Sequence, residues 1–215
     1  RVSRVAARED GEARAPAVRS WSERLMRIDG ILTDETVMTD MGSAIMEFAS
    51  ELVPLIEERR GSPQDDLVSI WANAELGGCP VEQSVMVQET GLFISGGAET
   101  TRTVIARGLV ELTRHPEQWD AMATDPTLTP GAVEEPIRWV TPLNNFFRTA
   151  TRDSTIGSTA VRAGDRVILC YPSANRDEAV FYDPWTFDIR RNPNPHVAFG
   201  FGTHFCLGAS LARLE

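Results

Sequence analysis

The stretch that decides the fold lies close to the end of the chain and holds one cysteine among three glycines. It reads Phe199-Gly200-Phe201-Gly202-Thr203-His204-Phe205-Cys206-Leu207-Gly208. An apolar, helix-prone segment follows at residues 209–214. A thiolate before a helix is stabilised by the positive end of the helix dipole, and glycine lets the backbone approach the sulfur closely. This pattern suits a protein that holds iron through sulfur. The alternative is a buried cysteine in a glycine-rich turn.

At these residues the chain resembles the cytochrome P450 family. The family's haem-loop pattern, in its bacterial form F-G-x-G-x-H-x-C-x-G, is met at six positions: Phe199, Gly200, Gly202, His204, Cys206 and Gly208. The resemblance implies a haem b cofactor (iron protoporphyrin IX) with Cys206 as the axial iron ligand. It also implies that Phe199, Gly200 and Gly208 surround the cofactor.

Composition narrows the classes of partner and compartment. The chain has 215 residues, 42% of them hydrophobic, and a net charge of −10. An acidic protein is poorly suited to nucleic acid or anionic lipid, so we expect no nucleic-acid partner. No apolar run is long enough for a membrane span, and no signal peptide is evident. Three widely spaced cysteines favour a reducing, cytoplasmic location, with Cys79 and Cys170 structural.

The resemblance covers residues 21–215, whereas family members are about twice as long. The chain also begins without methionine. We therefore expect a piece of a longer protein: a single partial P450 domain over residues 1–215. The family's N-terminal helices, most of its large sheet and its C-terminal strands would be absent. Residues 1–20 are expected to form a helix end or a loose segment.

Hydrophobic periodicity and helix-capping signals predict five helices. The first, with an apolar face of Met41, Ile45, Phe48, Leu52 and Ile56, is followed by a short helix capped by Asp65 or Asp66. The predicted ranges are 39–60, 66–73, 80–113, 116–124 and 130–140. Gly96-Gly97 interrupts the long third helix, and a local widening beside a ligand would offset the cost of these glycines.

The remainder of the chain is predicted to contain a small sheet and an irregular segment. Residues 155–156 and 166–171 have strand-like composition, and residues 163–165 are predicted to be the turn between these paired strands. Residues 175–194 are predicted to form an ordered meander. The fold class is therefore mainly α (α+β), and the resemblance implies an incomplete cytochrome P450 fold.

The middle of the long helix reads Gly96-Gly97-Ala98-Glu99-Thr100. It resembles the family's oxygen-activation motif, in which the glycines leave room for dioxygen. The resemblance implies that Glu99 and Thr100 are catalytic and relay protons to dioxygen. The alternative is a threonine-rich helical turn with a solvated glutamate.

Glu135 and Arg138 match the family's E-x-x-R motif, whose two side chains share one helix face. The resemblance implies a structural buried pair that holds a third arginine, Arg191, with Arg190 as the second candidate. The alternative is a surface ion pair of little energetic value. Pro136 lies between the two residues and is expected to bend the helix.

Further site residues also come from the resemblance. Arg148 and His204 would bind haem propionates. Without the resemblance, Arg148 would be interpreted as a strand-edge cation and His204 as a loop histidine. His115 and His196 are predicted to be structural. Substrate would contact residues of the long helix and of the segment after the E-x-x-R helix: Leu92, Phe93, Gly96, Leu143 and Phe146. These residues favour an apolar substrate.

The resemblance implies a haem-thiolate monooxygenase that hydroxylates an apolar, sterol-like or fatty-acid-like molecule with O2. Electrons would come from a ferredoxin and its ferredoxin reductase, because no reductase domain is present. Two alternatives stay open at this point. One is a catalytically incomplete haem-binding fragment of such an enzyme, and the other is a helical scaffold without a cofactor.

Overall fold

A computed structural model describes residues 11–27 and 34–215 of the chain. Those ranges divide into two compact units, residues up to 99 and residues 100–215. The prediction for residues 1–10 lies outside the described residues. Within the described ranges, no helix is long and apolar enough to cross a membrane.

The described helices account for most of the regular structure, and their bounds are α1 Gly11–Leu25, α2 Glu35–Gly61, α3 Leu67–Ala72, α4 Gln83–Arg114, α5 Pro116–Thr124, α6 Thr129–Val140, α7 Tyr171–Ala174 and α8 Ala209–Ala212. Antiparallel strands form three two-stranded sheets in the described ranges: β1 Glu75–Leu76 with β2 Cys79–Pro80, β3 Asn145–Thr149 with β6 Arg166–Cys170, and β4 Ser154–Ile156 with β5 Thr159–Val161. Helices outnumber strands in residue count across the described ranges, so the predicted mainly α (α+β) class is confirmed.

The first unit is built around helices α2, α3 and the first part of α4. Its buried core comprises Phe48, Leu52, Ile56, Val68, Ala72 and Met86. Two predictions for α2 need correction, because Ile45 is 45% exposed and Met41 only half-buried. Ala44 and Val37 occupy the buried face instead. Asp66 caps α3 by accepting a hydrogen bond from the Ser69 amide, which selects it over Asp65.

Helix α4 contains 32 residues and remains α-helical through Gly96-Gly97. The local widening expected at these glycines is therefore not found. A β-carbon at Gly96 would meet no atom within 4 Å outside its own helix. The two glycines are accommodated in ordinary helical backbone.

The second unit has its core where α4, α5 and α6 meet the meander. Leu112, Phe187 and Ile189 are buried there and pack against Met122, Leu128, Ala132 and Trp139. Gln118 fastens the meander by donating to the Phe187 carbonyl at 2.8 Å and accepting from the Ile189 amide at 2.9 Å. One buried amide group thus satisfies two backbone groups.

The predicted strand pairing is wrong. Residues 166–170 pair with residues 145–149, with Asn145 opposite Cys170 and Thr149 opposite Arg166. Residues 154–156 form a local hairpin with residues 159–161 instead. A two-residue turn containing Gly157 at φ +59° closes that hairpin, which leaves β6 free to pair with the earlier strand β3.

Helix α6 runs from Thr129 to Val140 and continues through Pro136. A proline cannot donate the helical hydrogen bond to Ala132. Its ring lies against α4, where a β-carbon at Gly108 would be 2.9 Å from Pro136 Cβ. The two helices therefore approach closely where Gly108, which has no side chain, lies opposite Pro136.

Replacing Gly131 by alanine is expected to destabilise the protein strongly. The added β-carbon would overlap the Ile189 carbonyl oxygen, which is backbone and cannot rotate away. We expect the free energy of unfolding to fall by about 3 kcal/mol, at the upper end of overpacking effects. Gly42→Ala is the control, since no atom lies within 4 Å of its β-carbon position. It should raise stability by about 0.5–1 kcal/mol. Chemical denaturation measures the free energy of unfolding of both variants. Equal changes in the two would contradict the close contact between Gly131 and Ile189.

Candidate functional site

The cysteine loop is closed by its own backbone. The Cys206 amide donates to the Phe199 carbonyl at 2.8 Å, and the Phe205 amide donates to Gly202 at 3.0 Å. Gly200 and Gly202 have φ values of +75° and +73°, which favour glycine. The loop geometry therefore explains why both positions carry glycine.

Gly200 also has close neighbours. A β-carbon there would lie 3.4 Å from the His204 carbonyl oxygen and 3.7 Å from the Tyr171 hydroxyl. The rings of Phe199 and Phe205 have centroids 6.2 Å apart and flank the same loop. The structure thus brings Phe199, Gly200, His204 and Cys206 together in one internally bonded turn.

The segment after the cysteine is helical at Ala209–Ala212, with Gly208 as the N-cap. Cys206 itself is exposed, as are His204 and Arg148. Arg148 lies on β3 and donates to the Phe147 carbonyl at 2.9 Å.

Glu135 and Arg138 form a bidentate ion pair inside the second unit. Arg138 Nε and Nη2 donate to the two Glu135 carboxylate oxygens at 2.8 and 2.7 Å. Both side chains are almost completely buried, with exposed fractions of 0% and 1%. The surface-pair alternative therefore does not describe this pair.

The pair organises the backbone of the meander. Arg138 Nη1 donates to the carbonyls of Asn175 and Pro184 at 2.8 and 2.9 Å. Arg191 Nε lies 3.3 Å from a Glu135 oxygen, and its other nitrogens donate to three meander carbonyls: Tyr182, Asp183 and Thr186. Arg190 is exposed. Arg191 is therefore the arginine at the Glu135 carboxylate.

Asn175 joins the end of α6 to the segment before the cysteine loop through hydrogen bonds that span 34 and 22 positions in sequence. Its side-chain Nδ2 donates to Thr141 Oγ1 at 2.8 Å, and its side-chain Oδ1 accepts from the Val197 backbone amide at 2.7 Å. Asn175 and Thr141 are both fully buried. An asparagine at the end of the short helix α7 carries no local signal of these long-range bonds.

Glu134, next to Glu135 on α6, binds a different part of the chain. It accepts from His196 Nε2 at 2.8 Å and from Arg213 Nε and Nη2. Burial acts to raise the pKa of Glu134, but the hydrogen bonds from Arg213 and His196 lower it overall. Burial lowers the pKa of His196 despite this carboxylate. His196, which was predicted to be structural, is thus 3% exposed and hydrogen-bonded to Glu134.

The candidate proton-relay residues both lie half-buried on α4. Within the first unit, Ser22 Oγ on α1 is 3.4 Å from Glu99 Oε1. Ser22 is 1% exposed, so this contact is shielded from water. Sequence reasoning gave no indication of Ser22, because the two residues are 77 positions apart.

The candidate substrate residues belong to both units. In the first, Leu92 is 67% exposed and the Phe93 ring packs edge-on against Trp71 at 5.9 Å. In the second, Leu143 is half-buried, and Phe146 is 44% exposed with its ring 5.9 Å from that of Tyr171. Apolar surface is therefore available at several of these positions.

Comparison with known proteins identifies the family. The cytochrome P450 family model matches residues 31–215. The steroid C26-monooxygenase of Mycolicibacterium smegmatis is 45% identical over 195 residues, covering 91% of this chain and 49% of its own. The methyl-branched lipid omega-hydroxylase of Mycobacterium bovis is 48% identical over 163 residues, covering 75% of this chain and 38% of its own.

Solved structures agree with the sequence relatives. The crystal structure of P450BioI in complex with hexadec-9Z-enoic acid ligated acyl carrier protein superposes with a TM-score of 0.87 at 31% identity, covering 99% of this chain and 55% of that one. The chain belongs to the cytochrome P450 family. It spans about half the length of the Mycolicibacterium smegmatis steroid C26-monooxygenase, 49%.

Family membership implies a haem cofactor, and the cysteine loop fits one. Cys206 offers an exposed sulfur on a backbone turn that is already closed by hydrogen bonds. A soft thiolate is a suitable ligand for haem iron. His204 and Arg148 present exposed basic groups of the type that bind carboxylates.

Proposed function

We propose that this chain is the haem-thiolate portion of a P450 monooxygenase, with haem b held by Cys206. The observation that carries the proposal is the cysteine loop, in which the Cys206 amide is fixed to Phe199 while the residue stays exposed. Bound there, haem would supply the activation of dioxygen. His204 and Arg148 bind its propionates, and residues 1–215 constitute one partial P450 domain.

The reaction converts R–H, O2, two electrons and two protons into R–OH and water. Glu99 and Thr100 are the catalytic residues of this proposal. The Glu99 carboxyl group relays protons to the Thr100 hydroxyl, which passes them towards dioxygen. Ordered proton delivery requires that bulk water be kept away, and both residues are half-buried.

The substrate is an apolar molecule with a sterol-like or fatty-acid-like skeleton. The relatives named above include a steroid C26-monooxygenase and a methyl-branched lipid omega-hydroxylase. A solved neighbour carries a fatty acyl chain on its acyl carrier protein. Apolar residues at the candidate substrate positions suit such a skeleton: Leu92, Phe93, Leu143 and Phe146, together with Gly96.

Electrons come from a ferredoxin-type partner with its reductase. A cytoplasmic location accompanies this proposal, supported by three cysteines that are all free thiols. The second candidate function is a catalytically incomplete haem-binding fragment. It is favoured by one observation, the coverage of only about half of the relatives' length.

The test is the carbon monoxide difference spectrum of the reduced chain after haem reconstitution. A long-wavelength Soret band would support thiolate ligation by Cys206, because electron donation from sulfur shifts that band. A short-wavelength band, or no band, would count against the proposal. Turnover of a steroid or fatty acid then separates the enzyme from the incomplete fragment.

Thr100→Ala is expected to uncouple electron use from hydroxylation. Without the hydroxyl, O2, two electrons and two protons leave as hydrogen peroxide and the substrate remains unoxidised. We expect hydroxylated product per electron pair to fall by about 10²-fold, the lower range of general acid–base effects. Thr101→Ala removes the neighbouring hydroxyl and is the control. Unchanged coupling in Thr100→Ala, measured as product and peroxide per reductant, would contradict the relay.

A further inference from the structure

Glu134 ties together two segments on opposite sides of the cysteine loop. His196, three residues before Phe199, donates to it at 2.8 Å, and Arg213, seven residues after Cys206, donates Nη2 at 3.1 Å. These partners are 62 and 79 positions from Glu134 in sequence. The base of the loop is therefore fastened on both sides to one carboxylate of α6.

The same two partners contact Phe199, the first residue of the loop. The Arg213 guanidinium carbon lies 4.5 Å from the centre of the Phe199 ring, and the His196 ring centroid lies 5.7 Å away. A cation over an aromatic face is attracted by the ring quadrupole. The Phe199 carbonyl in turn accepts the Cys206 amide at 2.8 Å. A continuous set of contacts thus runs from Glu134 to Cys206.

The histidine uses both of its nitrogens in this arrangement. Nδ1 accepts from the Ala198 amide at 3.3 Å, so the proton lies on Nε2 and points at Glu134. Burial lowers the pKa of His196, which keeps this neutral form. A buried side chain with both polar atoms satisfied has one orientation, unlike an exposed ion pair.

We propose that Glu134, His196 and Arg213 form a loop clamp that positions Phe199 and, through it, the cysteine ligand. They are positioning residues, because they act on Cys206 through Phe199. The proposal deepens the function proposed above and rests on it for its consequence at the haem. Its structural part, the immobilisation of the Cys206 amide, can be measured without the cofactor.

The first experiment measures amide hydrogen exchange at Cys206 in the chain without haem. Glu134→Gln keeps the size of the side chain but cannot accept two charge-assisted hydrogen bonds. We expect exchange at Cys206 to be about tenfold faster than in the parent protein, because the loop opens more readily. The matched control is Glu111→Gln, which removes an ion pair with the exposed Arg114 elsewhere in this unit. Equal exchange at Cys206 in the parent and Glu134→Gln would overturn the clamp.

Arg213→Lys is a second variant in case Glu134→Gln does not fold. Lysine keeps the charge but loses the planar two-point contact, so exchange at Cys206 should again accelerate. Parent-like exchange in a folded Arg213→Lys protein would overturn the contribution of Arg213.

The second experiment measures haem-reconstituted protein. With carbon monoxide, Glu134→Gln should increase the ratio of the short-wavelength to the long-wavelength Soret form about tenfold, whereas Glu111→Gln should not. A parent protein without the long-wavelength band would refute the proposed function and leave the exchange result valid. A normal band ratio in Glu134→Gln would refute the clamp alone.

Discussion

Arg138→Met is expected to lower the free energy of unfolding by about 3–5 kcal/mol, because it leaves Glu135 buried without its bidentate partner. The meander carbonyls of Asn175 and Pro184 lose their donor at the same time. A domain has a total stability of about 5–15 kcal/mol, so the variant should lose a large share of its stability. Chemical denaturation followed by circular dichroism provides the measurement.

The control for Arg138 is Arg114→Met, which also breaks an ion pair between residues three positions apart. Arg114 is 66% exposed, and its pair with Glu111 is expected to contribute about 0–1 kcal/mol. If both variants lost the same stability, burial would not be the reason for the importance of Arg138. A small effect of Arg138→Met alone would contradict the network as described.

Cys206→Ala is expected to eliminate the thiolate-type carbon monoxide spectrum and all hydroxylation. Alanine offers no ligand to iron, whereas the loop backbone that surrounds it can still form. The chain provides two matched controls, because Cys79 and Cys170 are also free and exposed. Cys79→Ala and Cys170→Ala should keep the parent spectrum. Retention of the long-wavelength band in Cys206→Ala would assign the ligand to another residue.

Much of the helical structure could be predicted from the sequence because its signals are local. Asp66 caps α3, and Pro116 begins α5, where proline fits the first turn of a helix. The family pattern indicated that the glycines of the cysteine loop matter, and the structure adds the positive φ values of Gly200 and Gly202. The ten-residue motif thus already indicated the position of the candidate ligand.

The errors arose where distant residues decide between local alternatives. The pattern predicts that residues 166–171 pair with residues 155–156, but Gly157 closes a separate hairpin and β6 pairs with β3 instead. Pro136 lies close to Gly108 on another helix, and the sequence around Pro136 carries no local signal of that contact. His196 was predicted only as a structural residue, because its partner Glu134 is 62 positions away.

The small hairpin of β4 and β5 has a consequence for how the chain tolerates changes in length. Its excursion begins and ends at one point, where the Ala150 amide donates to Asp165 at 2.9 Å and the Gly164 amide donates to Ala150 at 2.8 Å. Residues 151–160 are exposed throughout. Because doubling a closed loop costs only about 0.6 kcal/mol, this excursion is open to insertions and deletions. Residues 196–213 do not tolerate such changes in length, since inserting or deleting one residue there would displace Cys206 from the groups that hold it.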